Sequence, residues 1–169
     1  AAAALNHPNI VPVHAVGEHH GTPYFAMEYI QGQHLGDYCR ENQNLSPLQI
    51  IRIIDQVSAA LSAAHENGIL HRDIKPHNIM IDTSGQIQVM DFGLAKRISS
   101  EQSALTEAGT FLGTLYYASP EQISGDEVTV ASDLYSVGVL MYEMLAGRLP
   151  FDGNAAREIM QRKLKGEYK

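Results

Sequence analysis

The sequence predicts an α+β fold, strands first and helices after, and three stretches carry that prediction. Val11, Val13 and Ala15 alternate with Pro12 and His14, and Tyr24, Ala26 and Glu28 alternate with Phe25, Met27 and Tyr29, the period of two expected of strands. Ile50, Ile51, Ile53, Ile54, Val57, Leu61 and Ala64 recur at helical spacing and define one broad apolar face. A second, strongly apolar helix is expected from Asp133 to about Leu145.

Taken in order, Ala1–Leu5 holds helix formers stopped by Asn6-His7-Pro8, as the end of a helix would be. The two alternating runs form a hairpin, with Glu18-His19-His20-Gly21-Thr22-Pro23 as the connection. Gly32 and Gly36 belong to no phosphate-binding glycine motif and read as flexible hinge residues. Ser46-Pro47-Leu48-Gln49 places a cap, a first-turn proline and a Gln three residues on, which announces a helix start, and Gly68 supplies the stop. A strand near Ile79–Asp82, a turn at Thr83-Ser84-Gly85 and a strand over Gln86–Met90 follow. Residues 94–117, rich in Ser, Thr, Gly and Ala without clear period, read as a loop. The helix opened by Asp133 ends at Gly147 ahead of Pro150, and Ala155–Lys165 forms a last amphipathic helix.

Composition excludes several functions. With 12 Lys and Arg against 19 Asp and Glu, net charge −7 and no basic stripe, the chain is not expected to bind nucleic acid. Cys39 is the single cysteine, so no internal disulfide forms and a reducing, cytoplasmic setting is the expectation. The start lacks the basic flank and apolar core of a signal peptide, and Val137–Leu145 contains Glu143 and is too short for a bilayer, so no membrane contact is expected of this segment. His14, His19 and His20 lie on the hairpin without a Cys or a second acidic ligand at metal-binding spacing and read as solvated side chains.

The chemistry concentrates in His71-Arg72-Asp73-Ile74-Lys75-Pro76-His77-Asn78 and, one hairpin later, Asp91-Phe92-Gly93. Phosphoryl transfer asks little covalent work of a protein; it needs a carboxylate for the acceptor's proton, a cation near the moving phosphate and oxygen ligands for Mg²⁺. Asp73, Lys75, Asn78 and Asp91 are residues of those kinds. A plain polar turn is the competing reading, since Pro, Asn and Asp favour turns for local reasons.

Those two motifs, with Ala118-Ser119-Pro120-Glu121, resemble the eukaryotic-type (Hanks-type) serine/threonine protein kinases, and His7-Pro8-Asn9-Ile10-Val11 and Ser119-Pro120-Glu121-Gln122 are similar to bacterial members. The resemblance implies a protein-kinase-like fold: residues 1–30 as the end of the small lobe (the end of its helix, its fourth and fifth strands and the hinge), and 31–169 as a large lobe lacking its last helices. It implies Asp73 as catalytic base, Lys75 as a cation facing ATP, and Asn78 and Asp91 as ligands of Mg²⁺, with Mn²⁺ as a substitute. Lys75 and Thr114, in Gly113-Thr114-Leu115-Tyr116-Tyr117, point to the serine/threonine branch, with Thr114 beside Asp73 and Lys75. Met27 takes the gatekeeper position, and the backbone of Glu28 and Ile30 holds adenine. Asp37 is either near ribose or a surface residue of a short helix. His71 and Phe92 are apolar supports, and Gly93 gives a switchable loop its freedom. Asp133 either anchors the backbone of the 71–78 loop or merely favours a helix start. Phosphate on Thr106, or second Thr110, pairs with Arg72. The family's glycine-rich loop, ATP-orienting Lys, its Glu partner and the Arg that pairs with Glu121 fall outside the sequence. The expectation is a catalytic-domain fragment whose parent moves the ATP γ-phosphate to Ser/Thr hydroxyls of proteins. The alternative is a pseudokinase-like binding module, which has no physical need for all four charged and amide groups.

Overall fold

The computed structural model describes residues 5–92, 108–153 and 155–168, and of 108–112 only the backbone. Residues 1–4 of the helix end expected over Ala1–Leu5, Gly93, Thr106 and the side chain of Thr110 lie outside the described residues.

Strands β1 (Val13–His19) and β2 (Thr22–Met27) form an antiparallel hairpin from Val13↔Met27 to His19↔Thr22. The connection is only His20-Gly21, both left-handed at φ 49° and 78°, which is the tight turn matching strand twist. It is shorter than the expected Glu18–Pro23, because a residue pair that accepts positive φ lets the strands pair up to the turn. A strand not foreseen, β3 (Gly32–His34), pairs with β4 (Ile79–Asp82), which pairs with β5 (Ile87–Val89), giving a second antiparallel sheet of order β3-β4-β5. Gly32 is therefore not a flexible hinge. A Cβ there would stand 2.1 Å from the Ile81 carbonyl oxygen, so the strands approach only because the side chain is missing.

Residues 9–11 run alongside β5: Val11 N–H donates to the Val89 carbonyl at 2.9 Å and Val89 N–H to that of Asn9 at 2.8 Å. The buried Asn9 amide donates to the Ile87 carbonyl (2.7 Å) and to Gln56 Oε1 (3.0 Å), which also accepts from Ile87 N–H (2.9 Å). One side chain of a long helix thus ties the N-terminal segment to the sheet.

Helices α1 (Leu35–Glu41) and α2 (Pro47–Glu66) follow, α2 opened by the expected capping box in which Ser46 and Gln49 satisfy each other's backbone N–H groups. Its buried face is Ile50, Ile53, Val57, Ala60, Leu61 and Ala64. Ile51 does not belong to it: one residue is more than a quarter turn, and Ile51 stands 54% exposed. Helix α3 (Ala108–Tyr117) corrects the last part of the loop expected over 94–117, of which 94–107 lie outside the described residues. Two glycines weaken its local preference, but Leu115 and Tyr117 are buried and tertiary packing outweighs propensity. A short α4 (Pro120–Ser124) leads to α5 (Val130–Ala146). Helix α5 starts at cap Thr129, earlier than expected, so Asp133 lies inside its first turns; Gly147 ends it at φ 65°. Helix α6 (Ala156–Lys165) closes at Gly166. The apolar core joins α2, α5 and the second sheet through Val57, Leu61, Ile79, Val89 and Leu140. Among the described residues no helix is long and apolar enough to cross a membrane.

The close strand approach predicts that Gly32→Ala lowers stability by about 1–3 kcal/mol, the range for overpacking, in chemical denaturation. Gly36→Ala, whose Cβ would meet only Pro76 Cβ at 3.4 Å inside α1, is expected to be neutral or stabilising in the same assay.

Candidate active site

Residues 69–75 have no regular secondary structure, so their backbone groups must find partners elsewhere. From His71 to Asp73 the N–H groups find them in side chains. Asp133, 1% exposed, accepts from His71 N–H on Oδ2 (2.9 Å) and from Arg72 N–H on Oδ1 (2.8 Å), and His65 Nε2 lies 2.7 Å from Oδ2. Asp133 is thus the anchor of the loop backbone, and His65 serves it. Gln122 Nε2 donates to the Arg72 carbonyl at 2.7 Å.

His71 is fully buried, and desolvation holds its pKa below the ordinary histidine value, so the ring is neutral. A neutral imidazole has one donor and one acceptor, and both are used. Nε2–H donates to the Met90 carbonyl (2.8 Å), and Nδ1 accepts from Asp73 N–H (3.2 Å). The ring packs edge-on against Phe92 with centroids 4.7 Å apart. These contacts hold two left-handed non-glycine residues, Arg72 at φ 70° and Asp91 at φ 67°. Such conformations cost on the order of 1–3 kcal/mol each and persist where the surroundings enforce them.

Asp73 is the meeting point. Its Oδ2 accepts from Lys75 Nζ (2.8 Å) and Asn78 Nδ2 (2.9 Å), and Lys75 Nζ also donates to Thr114 Oγ1 (2.8 Å). Both bonds fall on Oδ2, and among the described residues no hydrogen bond takes Oδ1. Asn78 Nδ2 also donates to the Asp73 carbonyl at 2.8 Å, which commits its two hydrogens and leaves Oδ1 as an oxygen ligand. Asn78 sits in the 3₁₀ turn Pro76–Asn78 at the foot of β4, and Met90 N–H donates to its carbonyl at 3.0 Å. That bond brings Asp91, the next residue, to the same end of the β4–β5 hairpin. An amide oxygen and a carboxylate are hard donors of the kind Mg²⁺ takes.

A cleft of about 520 Å³ beside these groups is lined by His34, Asp37, Arg40, Lys75, Thr114 and Glu143. Asp37, paired with Arg40, is therefore both a short-helix surface residue and a wall of the cleft. The rings of His34 and His77 stack at 4.4 Å. Glu28 and Ile30 lie elsewhere, just past β2, where Glu28 N–H donates to the Pro12 carbonyl at 2.9 Å.

Sequence reasoning missed Gln122, Lys163 and the Tyr117–Glu143 pair. Ser119-Pro120-Glu121-Gln122 repeats the capping pattern of Ser46–Gln49, and that signal was available: Gln122 Oε1 accepts from Ser119 N–H at 2.9 Å while its NH₂ reaches Arg72. Tyr117 O–H donates to Glu143 Oε2 at 2.5 Å, and burial pushes both pKa values up, so a neutral phenol faces the carboxyl.

A family model described as the protein kinase domain matches residues 1–168. The chain belongs to the protein kinase family. The kinase chain is 43% identical over 167 residues to serine/threonine-protein kinase PrkC of Bacillus subtilis, covering 99% of this chain and 26% of that protein. It is 42% identical over 156 residues to probable serine/threonine-protein kinase PknB of Lactococcus lactis, covering 92% and 25%. To serine/threonine-protein kinase PknB of Mycobacterium tuberculosis it is 43% identical over 158 residues, covering 91% and 25%. The kinase chain thus spans about a quarter of the length of these relatives.

Asp133→Asn puts an NH₂ where one backbone N–H now finds an oxygen. The kinase is expected to lose about 1–3 kcal/mol of stability, the cost of an unsatisfied buried donor, measured by denaturant unfolding.

Proposed function

We propose that the protein transfers the γ-phosphate of ATP to Ser or Thr hydroxyls of protein substrates. The single observation that carries this reading is Lys75 Nζ bonded at once to Asp73 Oδ2 and Thr114 Oγ1, both at 2.8 Å. A carboxylate to take the acceptor's proton and a cation to meet the phosphate are thereby joined to a hydroxyl on the neighbouring helix. The names of the relatives, serine/threonine-protein kinases, support the same branch.

In this reading Asp73 Oδ1 receives the proton of the acceptor hydroxyl as the hydroxyl oxygen bonds to the γ-phosphorus and the bond from that phosphorus to the β–γ bridging oxygen breaks, releasing ADP, while Lys75 stabilises charge on the phosphoryl oxygens. Asn78 Oδ1 and the Asp91 carboxylate would hold Mg²⁺, which when bound neutralises phosphate charge. Lys75 thus serves ATP and the catalytic carboxylate together. The Glu28 carbonyl and Ile30 N–H hold adenine at the boundary between residues 1–30 and 31–169. What supports that boundary is that β2 ends at Met27 and Gly32 already belongs to the other sheet. We place the reaction in the cytoplasm, where ATP is made available and Cys39 stays reduced.

Asp73→Asn in the full-length protein should cut phosphate transfer from Mg-ATP by about 10²–10⁴-fold, the weight of general-base catalysis, with circular dichroism unchanged. Turnover near that of the unaltered protein would remove Asp73 from the role. Binding of ATP without any transfer by the unaltered protein would favour the non-catalytic module.

Regulation belongs to the same reading. Arg72 is held at its N–H by Asp133 and at its carbonyl by Gln122, so its guanidinium springs from a fixed base. A phosphothreonine at Thr106, or second at Thr110, brings close to two charges and three acceptor oxygens for it. Mass spectrometry of active protein should find phosphate there, and Thr106→Ala should lower activity more than Ser99→Ala. Full activity of the Thr106→Ala, Thr110→Ala double variant would end this part of the reading.

A further inference from the structure

Lys163 on α6 is buried to 3% exposure among the described residues, and no described carboxylate pairs with it. Its ammonium instead donates to the carbonyls of Tyr116 (2.6 Å) and Ala118 (2.7 Å) and lies over the rings of Tyr135 (5.1 Å) and Phe151 (5.6 Å). Burial pushes its pKa down to about 7. The carbonyl between the two, that of Tyr117, accepts from Ser136 Oγ at 2.9 Å. Three successive carbonyls at the end of α3 are thus held by side chains of α5 and α6. Helix C-termini leave carbonyls unsatisfied, and a lysine suits them by hydrogen bonding and by dipole. The turn so held is the one that carries Thr114, since Ala118 N–H donates back to the Thr114 carbonyl at 3.1 Å.

We propose that Lys163 is a positioning residue for phosphoryl transfer: by holding the carbonyls of Tyr116 and Ala118 it fixes the last turn of α3 and so presents Thr114 Oγ1 to Lys75 Nζ. Lys163 touches neither Asp73 nor substrate; its action passes through the helix end. The inference rests on the serine/threonine kinase reading above, and it deepens that reading by joining α6 to the reacting groups.

The test is Lys163→Met in the full-length protein, with steady-state kinetics, thermal unfolding and the methyl NMR signal of Thr114. An unbranched apolar side chain among Tyr135 and Phe151 relieves a buried charge, so the melting temperature should hold or rise. The expected result is a fall in kcat of about 10–100-fold, the effect of a small misplacement, with KM for ATP unchanged and the Thr114 methyl shifted. A kcat within about twofold of the unaltered protein, in a folded variant, overturns the proposal. If Lys163→Met does not fold, Lys163→Gln takes its place in the same measurements; if neither folds, the lysine serves the fold and the proposal is overturned. Should the unaltered protein show no transfer at all, the kinase reading fails on its own, and the Thr114 methyl signal still decides whether Lys163 governs that turn: a shift upholds the coupling and an unmoved signal overturns it.

Discussion

One buried carboxylate sets the geometry on which everything else in this chain depends. Asp133 receives His71 N–H and Arg72 N–H on separate oxygens and meets His65 besides, so a segment without helix or strand is held as firmly as either. A loop backbone in an apolar interior has to satisfy its polar groups, and each one left bare costs on the order of 1–3 kcal/mol. The same acid that removes that cost fixes the direction in which Asp73, two residues on, leaves the core. His71 adds a second constraint, because its neutral ring is a donor to Met90 on one side and an acceptor from Asp73 on the other. The 71–78 loop and the strand that delivers Asp91 are therefore coupled through one imidazole.

Helix α2 brings His65, helix α5 brings Asp133, and their packing through Val57, Leu61, Val137 and Leu140 decides how far apart the two stand. Apolar contact supplies the driving force, at roughly 25 cal/mol per Å² buried, while the polar network chooses among packed arrangements. Strain at Arg72 and Asp91 marks where the network is under load. Arg72 adjoins Asp73, and Asp91 is itself a proposed Mg²⁺ ligand, so the strain falls at the groups proposed to act on phosphate.

Much of this was legible in the sequence, for reasons that differ by residue. The capping box at Ser46–Gln49 and the stop at Gly68 are local signals, and local signals survive folding. Asp73, Lys75 and Asn78 could be read as one cluster because they stand within six residues of one another, and the hairpin that follows returns the chain so that Met90, beside Asp91, meets Asn78. Strand β3 could not be read: its side chains show no alternation over three residues, and its existence depends on Gly32 lying against Ile81, contributed from a distant part of the chain. Helix α3 was concealed by its glycines and is secured by α5 and α6, which lie beyond it in sequence. Lys163 gave no signal either, since a lysine in an amphipathic helix is ordinarily solvated, and only the fold turns this one inward.

The claim at the centre of this account is that Asp133 makes the backbone of the 71–78 loop part of the folding core. Amide hydrogen exchange followed residue by residue in the full-length protein tests it most directly, since protection reports the free energy of the opening that frees each N–H. The account predicts that His71 and Arg72 exchange as slowly as Val57 and Leu61 in the middle of α2, through global unfolding alone. Exchange at His71 and Arg72 as fast as at Ser84 in the exposed β4–β5 turn would contradict it.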